Sequence, residues 1–163
     1  MSRSQAMRVL AMLLGLFGFS GNAAEPQLQP GPASVESIGR ALVEAVGTSE
    51  AVILLYAQFD EGMVATAIRY VPTGGAVISD IADQPDALHD ALSAAWETVR
   101  AQMQPEPWRE MIYVVDNGQV SVTLLYPEQI DPGRTLHEKV EAESERLFPG
   151  LPHVADLTPD PGR

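Results

Sequence analysis

Apolar positions recur along the chain with two periods, and the changes of period mark out its elements. Val35, Ile38, Leu42 and Val46 follow helical spacing behind Ser34, a residue type that caps helices, with Glu36 in the first turn and Gly47 just past the end. The segment AVILLYAQF at 51–59 is almost continuously apolar and rich in β-branched and aromatic side chains, as a central strand requires. Asp60-Glu61-Gly62 then turns the chain. In MVATAIRYV at 63–71, Val64, Thr66, Ile68 and Tyr70 alternate with Ala65, Ala67, Arg69 and Val71, which predicts a half-covered strand. A second turn at Pro72-Thr73-Gly74-Gly75 leads to a short strand at 76–79.

The helical period returns after Asp83. Leu88, Leu92, Ala95, Val99 and Met103 share one side of a helix, with Asp90, Glu97 and Arg100 off that stripe. Asp83, Pro85 and Asp86 suit its start, and Pro105 and Pro107 stop it. Two strands follow, Trp108–Val115 and Gln119–Tyr126, flanking Asp116-Asn117-Gly118, where Asn117 and Gly118 can both take the positive φ of a tight hairpin. Thr135–Phe148 predicts a last helix with a narrow apolar stripe of Leu136, Val140 and Leu147, closed by Pro149-Gly150. Residues 25–33 read as a linker, 34–150 as a single domain and the Pro-rich 151–163 as a flexible tail. The order is α-β-β-β-α-β-β-α, and every strand-to-strand link is short enough for a hairpin. This predicts an α+β domain, an antiparallel sheet of about five strands with helices packed mainly on one face.

The first residues stand apart from this pattern. Arg3 and Arg8 precede the apolar or small run VLAMLLGLFGF, and SGNAAEP supplies small residues and then a proline, the layout of a signal peptide over residues 1–24. As a helix the run would be about 16 Å long, against a hydrocarbon core of about 30 Å. Cleavage after Ala23 or Ala24 is expected to release an exported, periplasmic protein with no stable membrane insertion, although retention as an N-terminal anchor is the alternative. All 22 acidic residues lie beyond residue 24 whereas two of the ten basic ones do not, so the processed chain carries a net charge of −14. Such a field repels nucleic acid and anionic membranes and speeds encounters with basic proteins. With no cysteine, disulfides, thiolate zinc sites and thiol catalysis are excluded.

Signatures of catalysis are missing. There is no GxSxG elbow, Walker loop, GxGxxG, HExxH or EF-hand loop. His89, His137 and His153 are far apart in sequence, and the first two read as boundary or surface histidines. Asp80, Asp83, Asp86 and Asp90 surround a helix start, where the helix dipole accounts for them better than a calcium loop does, since IADQPD lacks the alternating spacing and the glycine. No catalytic residue, metal ligand or cofactor is therefore assigned. Glu138, Glu141 and Glu145 recur at intervals of three and four and are expected to share a helix face, either as a solvated surface or as an acidic patch kept for a basic partner. Glu128 and Asp131, on a loop after Pro127, complete the candidate partner-binding set.

The helix bearing Trp96, the Pro-containing break, Trp108 opening a strand, the turn at Gly118, the strand closing at Tyr126 and the acidic loop beyond it together resemble the YezG-like immunity proteins. Upstream, ESIGRALVEAV and the strand pair of 51–71 are similar to that family's helix-then-hairpin opening, so the resemblance covers most of residues 34–148. It implies an antitoxin that neutralises a cognate toxin encoded nearby by tight binding rather than catalysis. The chain departs from the family's better-known cytosolic members in its export signal, which shifts the expected encounter to the periplasm. Two other readings remain open from the residues: a periplasmic binding or accessory module for a small ligand or envelope complex, and a hydrolase with an unrecognised acidic site. Trp108 and Tyr126 are expected in the core.

Overall fold

The structure, a computed structural model, describes residues 29–79, 84–102 and 107–155. The signal segment 1–24, residues 25–28 of the linker, Asp80, Asp83, Met103, Pro105 and residues 156–163 lie outside them. The chain folds as an α+β domain in the expected order: α1 (Pro32–Val46), β1 (Val52–Asp60), β2 (Met63–Val71), β3 (Val77–Ser79), α2 (Asp86–Arg100), β4 (Glu110–Asp116), β5 (Gln119–Leu125), a 3-10 turn (Pro127–Gln129), α3 (Leu136–Leu147) and β6 (His153–Ala155). One open sheet has the strand order β5-β4-β1-β2-β3-β6.

Local chemistry explains most boundaries. Helix α1 starts three residues earlier than Ser34 as its cap would start it, because Pro32 occupies the first helical turn, where its missing N–H costs nothing, and Gly31 is the N-cap. Ser34 is therefore inside the helix, and Glu36, beyond the first turn, pairs with Arg40 at 2.9 Å. Thr135 caps α3 reciprocally: its hydroxyl accepts from the Glu138 N–H, and its own N–H donates to the Glu138 carboxylate at 2.7 Å. At the β4–β5 hairpin, Asn117 and Gly118 take φ of 50° and 75°, as the tight turn requires.

Strand alternation sorts the apolar residues into two layers. Ile53, Leu55, Ala57 and Phe59 of β1 join Met111, Tyr113 and Val115 of β4 on one face, covered by Ile38 and Leu42 of α1 and by Leu88, Leu92, Trp96 and Val99 of α2. Leu54, Tyr56 and Ile112 point the other way, onto Val140 and Phe148 of α3 and its end. Two helices thus cover one face and the third covers the other. Trp108 is fully buried, its ring edge-on to Phe59 at 4.8 Å, while the Trp96 indole N–H donates to the Trp108 carbonyl at 2.9 Å. Both tryptophans and Tyr126 belong to the larger core.

The tail departs from expectation. His153–Ala155 is not frayed: it adds a sixth strand parallel to β3, pairing Val77 with His153 and Ser79 with Ala155, so the sheet is mixed rather than purely antiparallel. A parallel neighbour requires a crossover, and the chain between β3 and β6 runs through α2, β4, β5 and α3.

Where α1 meets the sheet, a Cβ built on Gly39 would stand 2.6 Å from the Tyr113 hydroxyl, which donates to the Val35 carbonyl at 2.7 Å. A rigid phenol ring with no exposed surface cannot yield that space cheaply. Gly39→Ala is expected to destabilise the fold by about 1–3 kcal/mol through overpacking. In a Tyr113→Phe background the same change should cost less or become stabilising by up to about 1 kcal/mol, since alanine is the better helix former. Urea unfolding of the four-member cycle measures both.

Candidate functional site

The α3 face of the sheet carries the chemistry that the apolar face lacks. Glu110, at the start of β4, is 4% exposed, and Lys139 of α3, 8% exposed, places its ammonium 2.6 Å from Glu110 Oε1. The Tyr56 hydroxyl donates to Glu110 Oε2 at 2.6 Å, and the Gln58 amide donates to Oε1 at 2.8 Å. Residues 56 and 58 share a face because side chains alternate along β1, and the pairing of Gln58 with Glu110 aligns them. Burial acts to raise the Glu110 pKa, but the hydrogen bonds from Lys139, Tyr56 and Gln58 and the charge of Lys139 outweigh it, holding the carboxyl below its ordinary value. Burial, then the Glu110 hydrogen bond and charge, push Tyr56 well up, so its hydroxyl remains a donor.

A second charge contact lies further along the same face. Arg69 of β2 is 1% exposed and reaches Glu141 of α3 through Nη2 at 2.8 Å and Nε at 3.2 Å, with Nη1 on the Ile68 carbonyl. His153 of β6 stands 3.7 Å from the other Glu141 oxygen. Glu141 therefore joins helix α3, strand β2 and the C-terminal strand. Burial acts to raise its pKa, and the Arg69 hydrogen bond and charge, with His153 and His137, bring it below the ordinary value.

These contacts redistribute the expected acidic patch. Glu141 is half-buried and engaged within the fold, and Glu138, though exposed, closes the α3 capping box. Glu145 is exposed, as are Glu128 on the 3-10 turn and Asp131 on the following loop, whose carboxylate accepts from the Gly133 N–H at 2.9 Å. Of these three α3 carboxylates, Glu141 is thus engaged within the fold while Glu138 and Glu145 stay exposed. Among the described residues Glu128, Asp131 and Glu145 form no ion pair, and no group of three or more His, Asp or Glu side chains could hold a metal ion. His89 is half-buried on α2 and His137 exposed on α3. Among the described residues, no helix is long and apolar enough to cross a membrane.

Sequence reasoning passed over Tyr56, Gln58, Arg69, Glu110 and Lys139. One signal was present: a helix with only Leu136, Val140 and Leu147 on its stripe needs polar anchors to seat it on a sheet. Comparison with known proteins adds no family: no protein-family model matches the chain, and no curated protein matches it.

Removing Lys139 strands a buried carboxylate. Lys139→Met is expected to destabilise the fold by about 3–5 kcal/mol, whereas the double replacement Lys139→Met with Glu110→Leu should recover most of that loss. Denaturant midpoints read both. The depressed pKa values of Glu110 and Glu141 also set an acid limit. Below an unfolded carboxylate value near ~4.3, the unfolded chain binds protons that the native carboxylates resist. Their contribution is present above that value and is lost as pH falls through the folded one. Stability measured across about pH 2–5 should therefore fall with acid, and the slope should be shallower in Glu141→Gln.

Proposed function

We propose that this chain is an exported immunity protein that neutralises a cognate secreted bacterial toxin, encoded nearby, by tight binding through an acidic surface and without catalysis. The observation that carries this reading is the allocation of charge. Arg40, Arg69, Arg100, Arg109, Lys139 and Arg146 each lie in an ion pair with the chain's own carboxylates. Among the described residues, Glu128, Asp131 and Glu145 are exposed without one. A surface so arranged steers a basic protein toward it and repels nucleic acid. The order of elements resembling the YezG-like immunity proteins supports the same class, and the signal-like first residues support a periplasmic encounter.

A second reading, a periplasmic binding module, draws on the part of the sheet that α3 leaves open. Helix α3 packs over β1 and β2, while Ser121 and Thr123 of β5 are exposed on the same side.

Co-expression with the neighbouring reading frame, its product directed to the periplasm, is expected to restore growth and to yield a co-purifying complex. A rescue that survives deletion of residues 1–24 would move the encounter to the cytosol, and turnover of a substrate by the purified chain would overturn the reading. Neutralising Glu128, Asp131 and Glu145 to their amides should slow association by about tenfold or more at low salt and flatten its salt dependence, with the melting temperature unchanged. Stopped-flow or surface-binding kinetics give the answer, and unaltered rates would remove these carboxylates from the interface.

A further inference from the structure

Strand β5 ends the sheet, with β4 as its neighbour on one side and none on the other among the described residues. Exposed edges are commonly blunted by charged side chains, proline, bulges or short length. The opposite edge, β6, is three residues long. By contrast β5 reads QVSVTLL, without a charge, a proline or a glycine, and pairs with β4 in continuous register from Asp116↔Gln119 to Glu110↔Leu125.

The hydrogen-bonding direction of each residue follows from the neighbouring ladder. Phe59 N donates to the Arg109 carbonyl at 2.8 Å, so the odd-numbered residues of β4 face β1 and the even-numbered ones face β5. Through the register, residues 119, 121, 123 and 125 of β5 bond inward, and the Arg109 N–H indeed donates to the Leu125 carbonyl at 2.9 Å. Val120, Val122 and Leu124 therefore direct their N–H and C=O groups to the free edge. Their side chains are half-buried against the α1–α2 core, which holds the edge in place.

The charge around the edge selects its occupant. Between Arg109 and Arg134 there is no Lys, Arg or His. Exposed carboxylates stand past both ends of the strand, Asp116 at the hairpin and Glu128 and Asp131 after Tyr126. An antiparallel pairing of two β5 strands would set Asp116 of one copy near Glu128 of the other, like charge against like charge. We propose that β5 is a docking edge for an extended, basic-flanked segment of a partner protein, which adds to the sheet as a seventh strand. This rests on the binding role above and names its geometry.

The test uses the purified chain and a synthetic peptide of alternating threonine and valine with lysines at both ends, beside the same peptide ended with glutamates. In isotope-edited spectra the lysine peptide is expected to shift β5 resonances, to slow amide exchange at Val120, Val122 and Leu124, and to bind about tenfold or more tightly than its counterpart. Val122→Pro removes one outward donor and leaves the β4 ladder intact, so it should lower binding by about tenfold. If that variant fails to fold, Thr123→Lys, at an exposed position, should weaken the lysine peptide by repulsion. Equal binding of both peptides, shifts away from β5, or dimerisation of the chain through this edge would overturn the proposal. Toxin rescue fully retained by Val122→Pro would also overturn it while leaving the immunity role standing. Peptide docking with no rescue by the unaltered chain would instead sink the immunity role and keep the edge.

Discussion

The contact between Lys139 and Glu110 decides how α3 sits on the sheet. Apolar burial alone gives that helix weak direction, because its stripe consists of Leu136, Val140 and Leu147 and the rest of its surface is polar. A buried ammonium and carboxylate at 2.6 Å, with Tyr56 and Gln58 completing the carboxylate's shell, admit few rotations of the helix about its axis. Arg69 and Glu141 repeat the constraint farther along β2. Breaking the Lys139–Glu110 pair on one side leaves a charge in a site that water scarcely reaches, which costs several kcal/mol. The two contacts contribute orientation more than net stability, since apolar replacements of similar volume are often no less stable.

That internal arrangement shapes the outside. A chain with ten basic and 22 acidic residues that buries Lys139 and Arg69 beneath α3, and ties Arg100 and Arg109 to Glu61, Glu97 and Asp60, has few cations left to screen its remaining carboxylates. Arg100 and Arg109 also lie 5.2 and 5.9 Å from the Trp96 ring centroid, stacking along the aromatic core and not projecting freely. Core construction and surface potential are therefore linked in this molecule: the groups that orient its helices are the ones withdrawn from its field.

The period of the apolar residues was enough to recover the order of elements, because each periodic segment is bounded by residues with one strong local preference, such as Asn117-Gly118 between β4 and β5 or Thr135 ahead of α3. Ser34 misled because a proline two positions earlier outranks it as a starting residue. The sixth strand was illegible for a different reason. Only three residues long, it pairs with β3 across more than seventy positions, and such a non-local parallel contact leaves no periodicity. Of the candidate residues only the exposed ones were legible as such. Glu128, Asp131 and Glu145 lie where an acidic count places them, but an acid at 141 looks the same in sequence whether it meets water or Arg69. Glu110 likewise read as part of a strand, since its partner is 29 residues away.

A strand edge with no neighbour among the described residues and a strongly negative field place opposite demands on a protein. The edge invites any extended chain, including another copy, because main-chain groups do not discriminate between sequences. The field supplies the discrimination that edge lysines or prolines supply elsewhere: a second copy, itself strongly negative, is repelled before backbone groups can pair, while a basic segment is drawn in. Short-range hydrogen bonds then give affinity and long-range charge gives choice. Placing a lysine within β5 would protect the edge by itself, but it would also repel the class of partner that the surrounding carboxylates attract. Keeping the strand neutral and the charge at its ends satisfies both requirements with the same few residues.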